Sequence, residues 1–157
     1  MATGALARLL EADWGESELL LVDLPPGTGD VQLSLIQRAR PAGAVIVSTP
    51  QDLSLIDARR AIDLFGKTSV PVLGIIENMA TYVCPHCGEA SHPFGIGGAE
   101  AAATEMGVPF LGRLPLSPAI REASDAGNPP ADSGGPEAAP FKELAAKLLE
   151  LLETPVR

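Results

Sequence analysis

The chain has 157 residues, 46% of them hydrophobic, which is enough for one substantial core and the size of one domain rather than two. A formal net charge of −9 with no Lys/Arg cluster argues against a nucleic-acid face or a polybasic membrane anchor. No stretch reaches the roughly 18 uninterrupted apolar residues of a membrane span, and the amino terminus lacks an export signal, so a cytoplasmic location is expected.

Leu6, Leu9, Leu10 and Trp14 recur at helical spacing before Gly15, which predicts an amphipathic helix over the first dozen residues. Short apolar runs rich in branched residues follow at 19–22, 44–47, 70–76 and 110–114 and predict four strands buried on both faces. Helices are expected between them at about 31–40, 53–66 and 97–106, the second ending at Gly66 and carrying Leu55, Ile62 and Phe65 on one face. Strict alternation of strand and helix implies right-handed crossovers and a parallel α/β sheet with helices on both faces. Functional loops then belong at the carboxyl ends of the strands. Ser117 and Pro118 suit a helix start, with a short helix to about Ala126. Residues 127–139 are rich in Pro, Gly, Ala and acidic residues and read as a mobile linker. Residues 140–157 read as a final helix that docks Phe141, Leu144, Leu148 and Leu151 on the same domain. Four strands make a thin sheet, and one edge is expected to be left uncovered.

Asp23 stands where the first predicted strand emerges, and Leu24-Pro25-Pro26-Gly27-Thr28-Gly29-Asp30 follow as a stiff loop. A carboxylate on a strand end can hold Mg²⁺, and a glycine lets a backbone N–H approach a terminal phosphate, which is the layout of a Walker B strand with its switch loop. Asp23 is therefore the candidate Mg²⁺ residue and Gly27 the candidate γ-phosphate contact. Asp23 could equally be a turn or cap residue, and Asp30 suits capping the next helix better than positioning a water.

Cys84-Pro85-His86-Cys87-Gly88 puts two thiols on one tight turn. Without an export signal, such a pair reads as a metal or redox site rather than a disulfide. Two thiolates cannot close a tetrahedral iron or zinc site, so the remaining ligands must come from elsewhere, and a second copy of the chain supplies them by twofold symmetry. The alternatives are a zinc knuckle completed within one chain by His86 or His92 and, less well supported, a thioredoxin-like pair, which normally opens a helix. His86 and His92 otherwise read as solvent-facing loop residues. Gly95, Gly97 and Gly98 lack a following Lys and read as a helix start, not a phosphate loop.

The strings DLPPGTGD, STPQD at 48–52, VPVLGIIENM at 71–79, CPHCG at 84–88, FGIGGAE at 94–100 and LGRLPLSPAIREASDAG at 111–127 occur in that order. Together they resemble the Mrp/ApbC-type iron–sulfur carrier ATPases over nearly the whole chain. The resemblance implies a P-loop NTPase fold of the deviant Walker A class, ATP binding, slow hydrolysis, homodimerisation and a bridging [4Fe–4S] cluster handed to apoproteins. It also implies adenine contacts at Asn78 and Pro115. An Asn amide suits a base edge because it both donates and accepts, although Asn78 could simply cap its strand, as Asp52 beside Gln51 could cap a helix.

One departure stands out: the sequence has no GxxxxGK[ST], the loop that cradles phosphates in this family. The chain thus resembles the carboxy-terminal half of such a protein, with residues 1–126 as a partial P-loop NTPase domain that includes the cysteine loop at 78–98. A complementary amino-terminal half is then a candidate partner, and without that loop's N–H nest and lysine charge no useful ATPase activity is expected from this chain alone. The favoured expectation is cluster binding and transfer, ATP-dependent in the complete protein. A non-catalytic dimerisation or regulatory module holding zinc, with a vestigial nucleotide site, is the alternative. A positioning ATPase of the MinD/ParA type is a third reading, against which the cysteine turn and the acidic charge both count.

Overall fold

The computed structural model describes residues 8–24, 30–132 and 134–153. Its elements in chain order are α1 (Asp30–Ala39), β1 (Ala44–Ser48), α2 (Asp52–Lys67), β2 (Val72–Glu77), β3 (Tyr82–Val83), β4 (Ala90–Ser91), α3 (Gly98–Met106), β5 (Phe110–Arg113), α4 (Pro118–Asp125) and α5 (Ala138–Glu153), with a single 3₁₀ turn at Pro130–Asp132. Strands β1, β2 and β5 form a parallel sheet in the order β1-β2-β5, as the strand–helix alternation requires. Ser48, Glu77 and Arg113 fall in one row across its carboxyl end.

Helices pack against both faces of the sheet. Ile46 and Ile75 pack with Ile36, Leu55, Ile62, Phe65 and the alanines of α3 on one side. Ile76 and Leu111 pack against Leu144 of α5 on the other. Ala99, Ala102 and Ala103 are almost wholly buried, and their small side chains let α3 lie close to the sheet. Leu144 is the only α5 residue in the buried part of its cluster, so Leu144→Ala should cost about 2–5 kcal/mol. Urea denaturation would read this as a lower midpoint, and a loss below about 1 kcal/mol would mean that α5 docks loosely.

Several boundaries differ from expectation for identifiable reasons. Gly66 does not end α2, which continues to Lys67; the turn comes at Thr68, whose N–H and hydroxyl bond back to Leu64 and Phe65 carbonyls, and at Ser69 with φ 58°. Ser117 is the N-cap of α4 with Pro118 following, but its side chain makes no capping bond. Gln51 rather than Asp52 is the N-cap of α2.

The larger correction concerns the first predicted strand. Residues 19–24 form no strand, and Leu19 to Val22 are exposed, Leu21 by 83%. A strand exists only through a ladder with a neighbour, and among the described residues nothing pairs with this segment. Among the described residues the parallel sheet therefore has three strands rather than four. Val47 on β1 is also 58% exposed, so burial on both faces holds for β2 and not for β1. Among the described residues β1 is an edge strand, in line with the expected uncovered edge. Of the predicted amino-terminal helix, residues 8–10 are helical, but 11–14 are turn and coil with Trp14 exposed, so the helix stops short of Gly15; residues 1–7 lie outside the described residues.

Candidate functional site

The segment from the end of β2 to the start of α3 carries the cysteines. Its middle is a short antiparallel hairpin, Tyr82 opposite Ser91 and Val83 opposite Ala90, with CPHCG at the tip. The tip closes by bonds from Cys84 N–H to Glu89 O and from Gly88 N–H to Cys84 O, both 2.9 Å. Gly88 has φ 74°, a backbone state that glycine enters without strain. Cys84 is half-buried and Cys87 exposed, both as free thiols.

Backbone N–H groups of Cys87 and His86, together with the Cys87 thiol, hold the Cys84 thiol below its ordinary value. A lowered value enlarges the thiolate fraction near neutral pH, and thiolate is the form that binds metal or reacts. Cys84 should therefore be alkylated by iodoacetamide at lower pH in the folded chain than in the same chain unfolded in urea, a difference that peptide mapping across a pH series would read directly. Matching profiles would mean that the turn does not polarise Cys84.

The hairpin stands on the residues after β5. Ala80 N–H bonds Leu114 O at 3.1 Å, Leu116 N–H bonds Thr81 O at 2.9 Å, and Tyr82 bridges Leu116. Pro115 lies within that support. His92 is occupied structurally: its Nδ1–H donates to Ala80 O at 2.9 Å. His86 is exposed at the tip. Among the described residues no group of three His, Cys, Asp or Glu side chains is placed to hold a metal, so neither histidine completes a site with the cysteines there.

Asn78 follows β2 directly. Its N–H bonds Ser48 O at 2.7 Å, and its side-chain oxygen accepts from Met79 N–H at 2.9 Å. Met79 has φ 57°, an unusual state for a side chain of its size, and marks the sharp exit of the chain from the sheet. Asn78 and Pro115 thus lie at the carboxyl end of the sheet, where the segment that carries Cys84 and Cys87 on its hairpin tip begins. Asp23 is exposed and shares no hydrogen bond or ion pair with them among the described residues. Gly27 lies outside the described residues.

Two features that could be mistaken for phosphate sites are not. Ala61 with Gly66-Lys67-Thr68 approximates a phosphate-loop pattern with Ala in place of the first Gly, but it lies on the last turns of α2, where backbone N–H groups serve the helix. Gly97, in the left-handed state, is the N-cap of α3, as the sequence suggested for this glycine cluster. A shallow concavity lined by Ile36, Arg40, Pro41, Thr68 and Val70 lies at the amino ends of β1 and β2, away from the cysteines.

The residue missed in the sequence is Glu77. It is fully buried at the last position of β2. Its Oε1 accepts from Gly97 N–H and Arg113 Nε–H, both at 3.0 Å, and its Oε2 from Ala99 N–H at 2.9 Å. Arg113 also pairs with Glu100 and lies 5.0 Å from the Phe110 ring centre. Burial pulls the Arg113 guanidinium down, but the bonds and charges of Glu100 and Glu77 outweigh it and leave the group above its ordinary value. A charge ending an otherwise apolar strand was the available signal.

The family of NUBPL iron-transfer P-loop NTPases, within the ParA group, matches residues 1–149. This chain belongs to that family. An iron–sulfur cluster carrier protein of Pseudomonas fragi is 49% identical over 148 residues, covering 92% of this chain and 52% of its own length. The mouse iron–sulfur cluster transfer protein NUBPL is 45% identical over 157 residues, covering 98% of this chain and 49% of its own. The chain spans about half the length of the curated relatives it matches. Among solved structures, a nucleotide-binding protein from Archaeoglobus fulgidus in complex with ADP superposes with a TM-score of 0.74 at 40% identity, covering 88% of this chain and 57% of that one. MinD of Pyrococcus horikoshii, at 23% identity and a TM-score of 0.69 over 99% of this chain and 59% of its own, shares the fold. The fold is thus the parallel α/β sheet of the P-loop NTPases, in an iron–sulfur carrier family. Among the described residues no helix is long and apolar enough to cross a membrane.

Proposed function

We propose that this chain carries an iron–sulfur cluster on Cys84 and Cys87 and delivers it to apoproteins in the cytoplasm. The observation that carries the reading is the CPHCG tip: two free thiols, one held toward its thiolate form, with no third ligand grouped beside them among the described residues. Two thiolates fit one half of a four-ligand site, and a second copy of the chain supplies the other half in a homodimer bridged by a [4Fe–4S] cluster. A cluster held at a subunit interface by an exposed turn is accessible to a receiving protein, which suits cargo better than permanent structure.

In the complete family protein, cluster handling depends on ATP. Asp23 would serve Mg²⁺, Gly27 the γ-phosphate, and Asn78 with Pro115 the adenine. The placement of Asn78 and Pro115 at the carboxyl end of the sheet supports this assignment. An amino-terminal half carrying a phosphate loop fits as a further partner, with the edge of β1 that is unpaired among the described residues and the exposed run 19–22 as surface for it. Phosphate release by this chain with MgATP should stay at background, and turnover comparable to that of a full-length relative would overturn the assignment.

Anaerobic reconstitution with iron and sulfide, followed by metal and sulfide analysis of the sized protein, tests the reading. A cluster shared by two chains supports it. Tight zinc in a monomer, unmoved by iron and sulfide, would make the turn a structural knuckle instead.

A further inference from the structure

The cysteine segment leaves the sheet at Asn78 and returns to it at Gly98, and the side chain immediately before its exit grips its return. Glu77 bonds Gly97 and Ala99, 20 and 22 residues ahead in sequence. Those amides belong to the amino end of α3, where the N-cap is Gly97 and no side chain caps the helix locally. A helix start leaves its first N–H groups without internal partners and favours a negative charge, so the buried carboxylate caps α3 from across the sheet. Arg113, in the same row, supplies the countercharge. The entry side of the segment is braced separately, by Ala80 on Leu114 and Leu116 on Thr81.

We infer that Glu77 is a positioning residue for the cysteine pair: by fastening the return of the 78–98 segment to the row that also ends in Asn78, it holds the CPHCG turn in one place. The geometry has a consequence for both ends of the site. Glu77 O accepts from Leu114 N–H at 2.8 Å, next to Pro115, while its carboxylate holds the return of the cysteine segment. One residue thus ties the Asn78 and Pro115 region to the cysteine loop. The inference deepens the carrier reading and rests on it only for the metal, not for the motion of the loop.

The test compares Glu77→Gln, Arg113→Met and Leu144→Ala with the wild-type chain by hydrogen exchange and by the rate of cluster loss to a chelator after reconstitution. Gln keeps the size but must turn an N–H₂ toward one of three donors. Arg113→Met removes one donor and leaves the two backbone bonds, and so serves if the Gln variant fails to fold. Leu144→Ala lowers global stability from the opposite face of the sheet. In Glu77→Gln the amides of Cys84, Gly97 and Ala99 should exchange about tenfold faster relative to that of Ile75, with a smaller change in Arg113→Met and none in Leu144→Ala. Cluster loss should accelerate in the same order. If the loop and Ile75 accelerate together in all three variants, or the loop responds in none, Glu77 serves stability alone and the inference is overturned. If the wild-type chain takes up no cluster, the carrier reading fails, and exchange alone decides the role of Glu77.

Discussion

Cys84→Ser combined with Cys87→Ser should abolish cluster uptake, with iron and acid-labile sulfide after anaerobic reconstitution falling to background. The wild-type chain should retain about two irons and two sulfides per chain, half of a shared four-iron cluster. Serine is nearly isosteric, but its hydroxyl stays protonated where a thiol ionises, and the ionised sulfur is the ligand. Both cysteines lie on the exposed tip of the hairpin, so the exchange removes no core packing and should change stability by no more than about 0.5 kcal/mol. That separation makes the experiment decisive, because lost metal cannot be ascribed to lost fold. Each single variant should fare almost as badly, since in a twofold arrangement one substitution removes two of four ligands. A double variant that still bound a full complement of iron and sulfide would sink the assignment of these residues.

What the sequence made legible follows from what each pattern reports. Short apolar runs located β1, β2 and β5 because each strand packs at least one face against the core, and the helices between them fixed a parallel sheet. The run at 19–22 looks the same in sequence yet forms no strand. Apolar pattern records what a segment is able to bury, whereas a strand also needs a neighbour, and the pattern is silent about that. The cysteine pair was visible because its spacing alone defines the chemistry. Its hairpin was not, because β3 and β4 have two residues each, too few for alternation to show. Glu77 was visible as a charge at the end of an apolar strand, but its partners at Gly97, Ala99 and Arg113 are brought to it only by the return of the chain.

Gly98→Ala should be among the most damaging small substitutions in the chain, and the reason lies in how α3 meets the end of β1. A Cβ at position 98 would stand 2.2 Å from the Pro50 carbonyl oxygen, and 3.1 Å from both the Pro50 carbonyl carbon and Leu55 Cδ1. Leu55 can rotate away, but Pro50 is buried between β1 and α2 and its carbonyl is backbone, so α3 must retreat. That retreat lifts Ala99, Ala102 and Ala103 from the sheet and should cost about 1–3 kcal/mol or more. Gly66→Ala is the control. Position 66 is in the helical part of α2 with nothing within 4 Å of an added Cβ, and the substitution should raise stability by about 0.5–1 kcal/mol. Urea midpoints should therefore move in opposite directions for the same chemical change. Because Gly97 and Ala99 flank the substituted residue and hold Glu77, Gly98→Ala should also loosen the return of the cysteine segment. It should then shed its cluster faster than Leu144→Ala at equal loss of stability, and equal rates would mean that the position of α3 does not govern the thiols.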